Sequence, residues 1–318
     1  MRAYIIRRLL AIIPTVLLAT LIVFFVIRLV PGHIIDLMIS QHDVSADTMS
    51  REKIKAALGL DVPIHVQYTR WMGNLFIHGD LGHSLWRETS VWREVRERAP
   101  ITFELGMLAL IISLLTAIPI GVYSAIRQDT MGDYVGRTIS ILGVAVPSFW
   151  LGTMLMVYPA LWWGWSPSME LIKFGDDPIG NLKMFLLPAA VLGLLLSAVT
   201  MRMMRAMMLE VLRQDYIRTA WAKGVKERVV IFRHALKNAL IPVVTLIGLQ
   251  VPILIGGTVV IEQIFVLPGL GLLMFEAVEQ RDYPIITGLM LVIGFFVLII
   301  NLIVDLSYGL LDPKVRYK

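Results

Sequence analysis

Six long stretches of the chain contain no Asp, Glu, Lys or Arg and are dominated by apolar residues. They are Leu9–Ile27, Leu105–Ile126, Thr138–Met169, Met184–Met201, Asn238–Ile261 and Tyr283–Val304. A helix that crosses a bilayer needs about 20 such residues. The pattern therefore predicts an all-α membrane protein with six transmembrane helices. The first stretch exceeds the apolar core of a signal peptide, about 7–15 residues, so we expect a retained first helix.

The third stretch is longer than one span requires. Pro159 and the tryptophans that follow it indicate a helix that ends near Tyr158 and continues as an interfacial segment. Pro147 lies inside the predicted helix, where a proline frees a backbone carbonyl and permits a kink. We therefore expect one kinked span with a short interfacial extension, and a re-entrant piece at that extension stays open.

The loop between the fourth and fifth stretches is strongly basic. It carries nine Lys and Arg against Glu210, Asp215 and Glu227. Because Lys and Arg concentrate in cytoplasmic loops, residues 202–240 are predicted to face the cytoplasm, together with both termini. The chain then divides into an N-terminal segment with the first helix (1–30), an external segment (31–100) and a five-helix core (101–318). Within the external segment we expect a helix from about Ala46 to Leu58.

Composition supports a membrane protein over a soluble one. Of the 318 residues, 57% are apolar and 17% charged, and the mean hydropathy is +0.74. The net charge of +5 is explained by basic loops beside apolar spans, so we expect a lipid bilayer and no nucleic acid as partner. The chain has no cysteine, which excludes disulfides and thiolate metal sites.

The middle of the basic loop predicts two helices. In DYIRTAWAKG, residues 215–224, Asp215 is a suitable N-cap and Gly224 a suitable C-terminal stop for a short helix. A second, amphipathic helix should lead back to the membrane. Its apolar face is expected at Val229, Phe232, Leu236 and Leu240.

The segments DYIRTAWAKG and RHALKNALIPVVT resemble the cytoplasmic loop of ABC-transporter permease subunits, in the branch that imports dipeptides, oligopeptides, nickel and some oligosaccharides. The resemblance implies the type I ABC importer permease fold. It also implies that the short helix is a coupling helix that docks on a separate ATP-hydrolysing subunit. The general motif begins Glu-Ala-Ala, whereas this chain has Arg218, Thr219 and Ala220, as is common in the peptide branch. The docking residues so implied are Asp215, Tyr216, Arg218, Thr219, Ala220, Lys223 and Gly224.

Loop charge by itself is equally compatible with an ordinary basic loop that turns at Gly224. The segment HGDLGHS, His78–Ser84, also resembles a signature of the family, located outside the membrane. We favour a glycine-rich turn that packs on helix ends, and direct contact with substrate or a binding protein stays open.

The fifth apolar stretch contains small and polar residues, among them Thr245, Gln250 and Thr258. The resemblance implies that this helix helps to line the substrate path between two permease subunits. A buried amide such as Gln250 needs a partner or water. We assign these three residues to the path, with an interhelical hydrogen bond as the alternative for Gln250.

Motifs for chemistry are missing from the chain. It has neither a Gly-x-x-x-x-Gly-Lys-Ser/Thr phosphate loop nor a His-Glu-x-x-His motif. We predict no catalytic residue, no metal site and no cofactor in this chain. By resemblance, partner subunits would bind ATP and magnesium, and the complex would comprise a second homologous permease, two ATP-binding subunits and an external substrate-binding protein.

Two other classes of function stay open. A stand-alone secondary carrier is disfavoured because the apolar stretches lack the carboxylates that ion coupling usually needs. A membrane scaffold or sensor without transport fits the composition but does not explain the loop motif. The sequence leaves the solute open among dipeptides, oligopeptides, nickel chelates and oligosaccharides.

Overall fold

A computed structural model describes residues 2–29, 61–165 and 170–311, and the helix expected at Ala46–Leu58 lies outside them. The described chain is helical, apart from turns and an isolated β-bridge between His83 and Ser90. The helices are α1 (Arg2–Leu29), α2 (Ile64–Gly73, continued by a π-helical turn Asn74–His78), α3 (Val91–Ile126), α4 (Met131–Ala145), α5 (Ser148–Trp163), α6 (Pro178–Leu212), α7 (Asp215–Ala222), α8 (Glu227–Ile264, with a π-helical turn Val230–Ala235), α9 (Leu270–Gln280) and α10 (Tyr283–Leu311). The all-α prediction is confirmed for these residues.

Four helices of the described chain are long and apolar enough to cross a membrane, namely α3, α6, α8 and the Tyr283–Val304 part of α10. Helices α4 and α5 pass the same test together and would make a fifth span if they count as one. Within α1 the apolar helical stretch is Ile13–Val26, which is shorter than a span. The count of six spans and the cytoplasmic termini therefore stay predictions.

The third apolar stretch is broken, which corrects the expected kinked span. Helices α4 and α5 meet at 95°, because Val146 is extended (φ −86°, ψ 121°) and Pro147 follows it. A residue before proline is pushed out of the α-helical region, and proline lacks the N–H that would continue the ladder. Helix α5 then runs through Pro159 to Trp163, so the expected end near Tyr158 was wrong.

The described chain packs as two compact units, one made of residues 101–271 and 299–311 and the other of residues 2–100 and 272–298. These units are groups of helices that pack together. The predicted division at residues 30 and 100 separates membrane segments from an external segment, which packing alone does not test. It therefore stays a prediction.

The larger unit is built around α6. Its first turn is fixed by Asp177, whose carboxylate accepts hydrogen bonds from the backbone N–H groups of Ile179 and Gly180. Phe185, Ala189 and Leu192 follow on one buried face of this helix, at the spacing expected for a helical stripe. Apolar residues of α3 and α8 complete this core; they include Leu105, Ala109, Leu254 and Ile261.

A close approach between α3 and α6 occurs at Gly193. A Cβ at that position would lie 2.8 Å from the carbonyl oxygen of Ala109, a distance that side chains do not tolerate. Glycine therefore allows the two backbones to approach, as small residues do in membrane helix pairs.

In the smaller unit, α1 is joined to α2 by aromatic contacts. Phe24 is almost fully buried, and its ring centroid lies 5.2 Å from that of Tyr68 and 5.6 Å from that of Trp71. The hydroxyl groups of Thr20 and Tyr68 are 3.1 Å apart and share a hydrogen bond. These contacts stabilise the helix pair through area burial and, for Phe24 and Tyr68, through edge-to-face ring geometry.

Candidate functional site

Helix α7 is the short helix predicted in the basic loop. Its N-cap is Gln214, which makes no side-chain capping bond, and Asp215 is the first helical residue. The prediction that Asp215 is the N-cap was therefore wrong by one position. In the first turn its carboxylate still lies at the positive end of the helix dipole, which favours a negative charge.

Gly224 ends α7, as predicted. It has φ +72°, the left-handed region that glycine adopts without a steric penalty. The N–H of Gly224 donates to the carbonyl oxygen of Trp221 at 2.9 Å, and the N–H of Val225 donates to that of Ala220 at 3.2 Å. This pair of bonds is the Schellman motif. It stops the helix at a fixed residue and turns the chain toward α8.

A single fully buried residue, Ile217, anchors α7 to the rest of the larger unit. It belongs to an apolar cluster formed with residues of α3, α6 and α8 and defined here as the α7 cluster. Its buried members are Val122, Ala125, Met204, Met208, Ile217, Val230, Ile231, Ala235, Ala239 and Val243. Ala220 and Val225 pack against this cluster from the two ends of the Schellman turn, so α7 is held along its inner side.

The outer side of α7 is open. All seven predicted docking residues lie on α7 or at its C-terminal turn; Ala220 is half-buried and the other six are exposed. Tyr216 is held in place by the Asn238 side-chain amide, which donates to its hydroxyl oxygen at 2.8 Å. Arg218 lies 3.5 Å from the Asp215 carboxylate. That ion pair is exposed and adds little to stability.

Sequence reasoning missed the two residues that position this surface, Ile217 and Asn238. The signal for Ile217 was its three-residue spacing from Ala220, which puts both side chains on one helical face. Asn238 lies on α8, and no local pattern links it to Tyr216. Trp221 is a further exposed apolar residue, 43% accessible, beside the predicted docking residues.

The apolar face expected at the start of α8 was right at Leu236 and Leu240, which pack against the α7 cluster, and wrong at its first two positions. Val229 and Phe232 are exposed, whereas Val230, Ile231 and Ala235 are buried. The π-helical turn at Val230–Ala235 explains the difference, because its wider repeat shifts the phase of the buried face relative to an α-helix. This shift directs Val230 and Ile231 into the α7 cluster.

The three residues assigned to the substrate path all lie on α8. Gln250 is buried, and its Oε1 accepts a hydrogen bond from the Thr200 hydroxyl of α6 at 3.2 Å. The hydroxyl of Thr258 is buried and donates to the carbonyl oxygen of Ile255, and that of Thr245 donates to the carbonyl oxygen of Ile241. The interhelical bond of Gln250 is therefore present, and its place beside the path stays a prediction.

The turn at His78–Ser84 packs inside the smaller unit. Leu81 is 1% exposed, and the Ser84 hydroxyl donates to Oδ2 of Asp282 at 2.5 Å. Asp282 also accepts a hydrogen bond from the backbone N–H of Leu85. Burial raises the pKa of the Asp282 carboxyl, and these bonds oppose the rise. The geometry favours the packing role of this turn.

A solved structure shares the fold of the described chain. A crystal structure of an amino acid ABC transporter with histidines is similar, with a TM-score of 0.51 at 12% identity, and the match covers 65% of this chain and 89% of that chain.

Sequence comparison defines the family. Residues 117–317 match the family described as binding-protein-dependent transport system inner membrane component, and residues 1–106 match the corresponding N-terminal family. The chain belongs to this family. It is similar along its whole length to the oligopeptide transport system permease protein AppB of Bacillus subtilis (41% identical) and to the dipeptide transport system permease protein DppB of Escherichia coli K12 (37% identical), with 100% of both chains covered in each case. The protein is therefore a membrane transport component and not an enzyme.

Proposed function

We propose that this chain is a permease subunit of an ATP-driven peptide importer and forms half of its translocation path. A second, homologous permease would supply the other half. The functions named for the relatives, oligopeptide transport and dipeptide transport, support peptides as the solute class. They do not favour nickel chelates or oligosaccharides.

The observation that supports the proposal most directly is the way α7 packs: one side is buried and the other is exposed. A helix of eight residues presents an exposed outer side while one fully buried residue, Ile217, fixes its inner side. A surface helix is held in place by the apolar residues that it buries, and the seven residues resembling the family's docking motif lie mostly on the side that α7 leaves exposed. An anchored helix with an open side suits docking in a groove of another subunit. In this proposal, α7 faces the cytoplasm and docks on one of two ATP-binding subunits.

The same anchor, Ile217, would couple the ATP-binding subunits to the membrane helices. Closure of the ATP-binding subunits would displace α7, and the α7 cluster would pass the displacement to α6 and α8 as a rigid-body movement. The path is proposed to run beside Thr245, Gln250 and Thr258 of α8. An external substrate-binding protein would deliver the peptide, and ATP and magnesium would be held by the partner subunits alone.

The test is capture of partners by a tagged chain carrying Gly224→Trp. Glycine at φ +72° with no atom within 4 Å of its would-be Cβ gives a side chain room to project outward, across the proposed docking surface. We expect peptide uptake and recovery of the ATP-binding subunits to fall together, with the chain still inserted in the membrane. Gly224→Asn should retain more of both, because asparagine tolerates positive φ better than tryptophan.

The matched control is Gly164→Trp. Gly164 follows α5, has φ +63° and likewise has no atom within 4 Å of its would-be Cβ, so it carries the same backbone cost away from α7. The control should capture ATP-binding subunits at the wild-type level. Uptake that continues without ATP would favour a secondary carrier. A well-folded wild-type chain that captures no partner and transports nothing would favour a scaffold.

A further inference from the structure

Asp133, in the first turn of α4, is a fully buried carboxylate within the larger unit. Its two oxygens accept five hydrogen bonds. The donors are Arg205 Nε at 2.9 Å and Arg205 Nη2 at 2.9 Å, Arg137 Nη2 at 2.8 Å, Ser124 Oγ at 2.5 Å and the backbone N–H of Asp129 at 3.1 Å. These residues come from α3, α4, α6 and the turn between α3 and α4. We call this group the Asp133 clasp.

The strongest contact of the clasp is the two-pronged pair with Arg205. A planar guanidinium that meets both oxygens of a carboxylate fixes the angle between the groups as well as their distance. The Ser140 hydroxyl of α4 also donates to the carbonyl oxygen of Ala198 on α6 at 2.9 Å, and to that single bond the clasp adds a pair with one good arrangement. The clasp therefore fixes α4 on α6 at one position and angle.

The two sides of the clasp lead to different parts of the larger unit. On α6, Arg205 lies between Met204 and Met208, which belong to the α7 cluster with Ile217. On α4, Asp133 lies at the start of the helix that ends at the 95° break before α5. A continuous set of contacts thus runs from α7 through α6 and the clasp to the broken span.

We propose that Asp133 is a positioning residue that transmits displacement of α7 to α4 and so to the broken span. The proposal rests on the proposed function, because the displacement originates in the ATP-binding subunits. The clasp makes α4 follow α6, and the break at Pro147 allows α4 to change its angle to α5. Loss of the clasp would leave α7 docked while weakening its coupling to α4.

The first test measures the clasp in the complete chain alone. Because the chain has no cysteine, Gln214→Cys beside α7 and Ile139→Cys on the exposed side of α4 would carry the only two spin labels, in lipid nanodiscs. We expect one narrow distance distribution in this labelled background and a broad one when Asp133→Asn is added. Asp129→Asn is the matched control, because it keeps the backbone N–H that Asp129 donates to the clasp and removes only an exposed side-chain charge 3.4 Å from Arg137. Asp129 has a positive φ, which asparagine tolerates.

The second test measures transport per ATP hydrolysed in the reconstituted complex. We expect Asp133→Asn to keep its ATP-binding subunits and to transport roughly tenfold less peptide per ATP, the size of a typical coupling between sites. Arg205→Lys keeps the charge and loses the fork, so it should fall between wild type and Asp133→Asn. This graded series also carries the test if Asp133→Asn fails to insert.

Three outcomes would overturn the proposal. One is a narrow label distribution in Asp133→Asn, and another is a wild-type ratio of peptide to ATP. The third is loss of the ATP-binding subunits in step with uptake in both variants, which is the result of a purely structural role. A wild-type chain that captures no ATP-binding subunit would instead overturn the proposed function, and the label distances would still show whether Asp133 fixes α4 on α6.

Discussion

Helix α7 and the His78–Ser84 turn both resemble family motifs, yet the structure buries a polar side chain, Ser84, only in the turn. On α7 the polar residues are exposed and one apolar residue, Ile217, is buried. In the turn, the Ser84 hydroxyl is buried against the Asp282 carboxylate. A motif that presents polar groups outward is suited to a partner, whereas one that satisfies them inside the same unit is suited to holding its own fold.

The difference has a simple physical origin. A buried hydroxyl or carboxylate must find hydrogen-bond partners, because leaving one unpaired costs about 1–3 kcal/mol. Asp282 and Ser84 meet that requirement with each other and with nearby backbone groups. The exposed groups of α7 are satisfied by water and stay available to another protein.

The largest effect should come from Ile217→Ala, which removes the anchor of α7. Truncation of a fully buried isoleucine costs about 2–5 kcal/mol, and here most of it should appear as local opening of α7. We expect the α7 amides to exchange faster with deuterium and capture of the ATP-binding subunits to fall strongly. Ile179→Ala is the control, because Ile179 is 67% exposed near the start of α6. Unchanged exchange in Ile217→Ala would refute the anchor.

A smaller effect is expected from Ser84→Ala, and it should fall on stability and not on the capture of partners. The substitution removes the donor to Asp282 and the acceptor for the backbone N–H of Arg87 at 3.0 Å. The free energy of unfolding should fall by about 1–3 kcal/mol, while capture of the ATP-binding subunits stays at the wild-type level. Ser197→Ala is the matched control, because it makes the same chemical change but removes only a hydrogen bond to the carbonyl oxygen of Leu194 in its own helix. Loss of capture without loss of stability would show that the turn meets a partner.

The smallest effect is expected from Tyr216→Phe, which removes a hydroxyl from the open side of α7. Because Tyr216 is exposed, we expect the free energy of unfolding to change by no more than about 0.5 kcal/mol. Loss of the bond from Asn238 should free the ring and weaken capture of the ATP-binding subunits by about 1 kcal/mol, or roughly fivefold. Titration of a purified ATP-binding subunit would measure it, with Tyr134→Phe on α4 as the control. A stability loss larger than the affinity loss would place Tyr216 with the packing residues.

The sequence predicted α7 well because its boundaries are local. Gly224 ends the helix through backbone bonds that span six residues, and glycine is the residue that such a turn favours. The start was missed by one residue since Gln214 and Asp215 both fit a first turn. The first part of the α8 face, at Val229 and Phe232, was missed because the π-helical turn at Val230–Ala235 changes the repeat on which a periodic pattern depends.

By itself, the sequence determined the helical class, the apolar segments and the position of the candidate docking helix, because bilayer thickness, helix capping and loop charge act over short distances along the chain. Only the tertiary structure decided which side of α7 is open, how Ser84 meets Asp282, and that Asp133 is clasped by Arg205. The residues of those two pairs lie 198 and 72 positions apart. Their contacts depend on how helices pack against one another, and no local pattern encodes that packing.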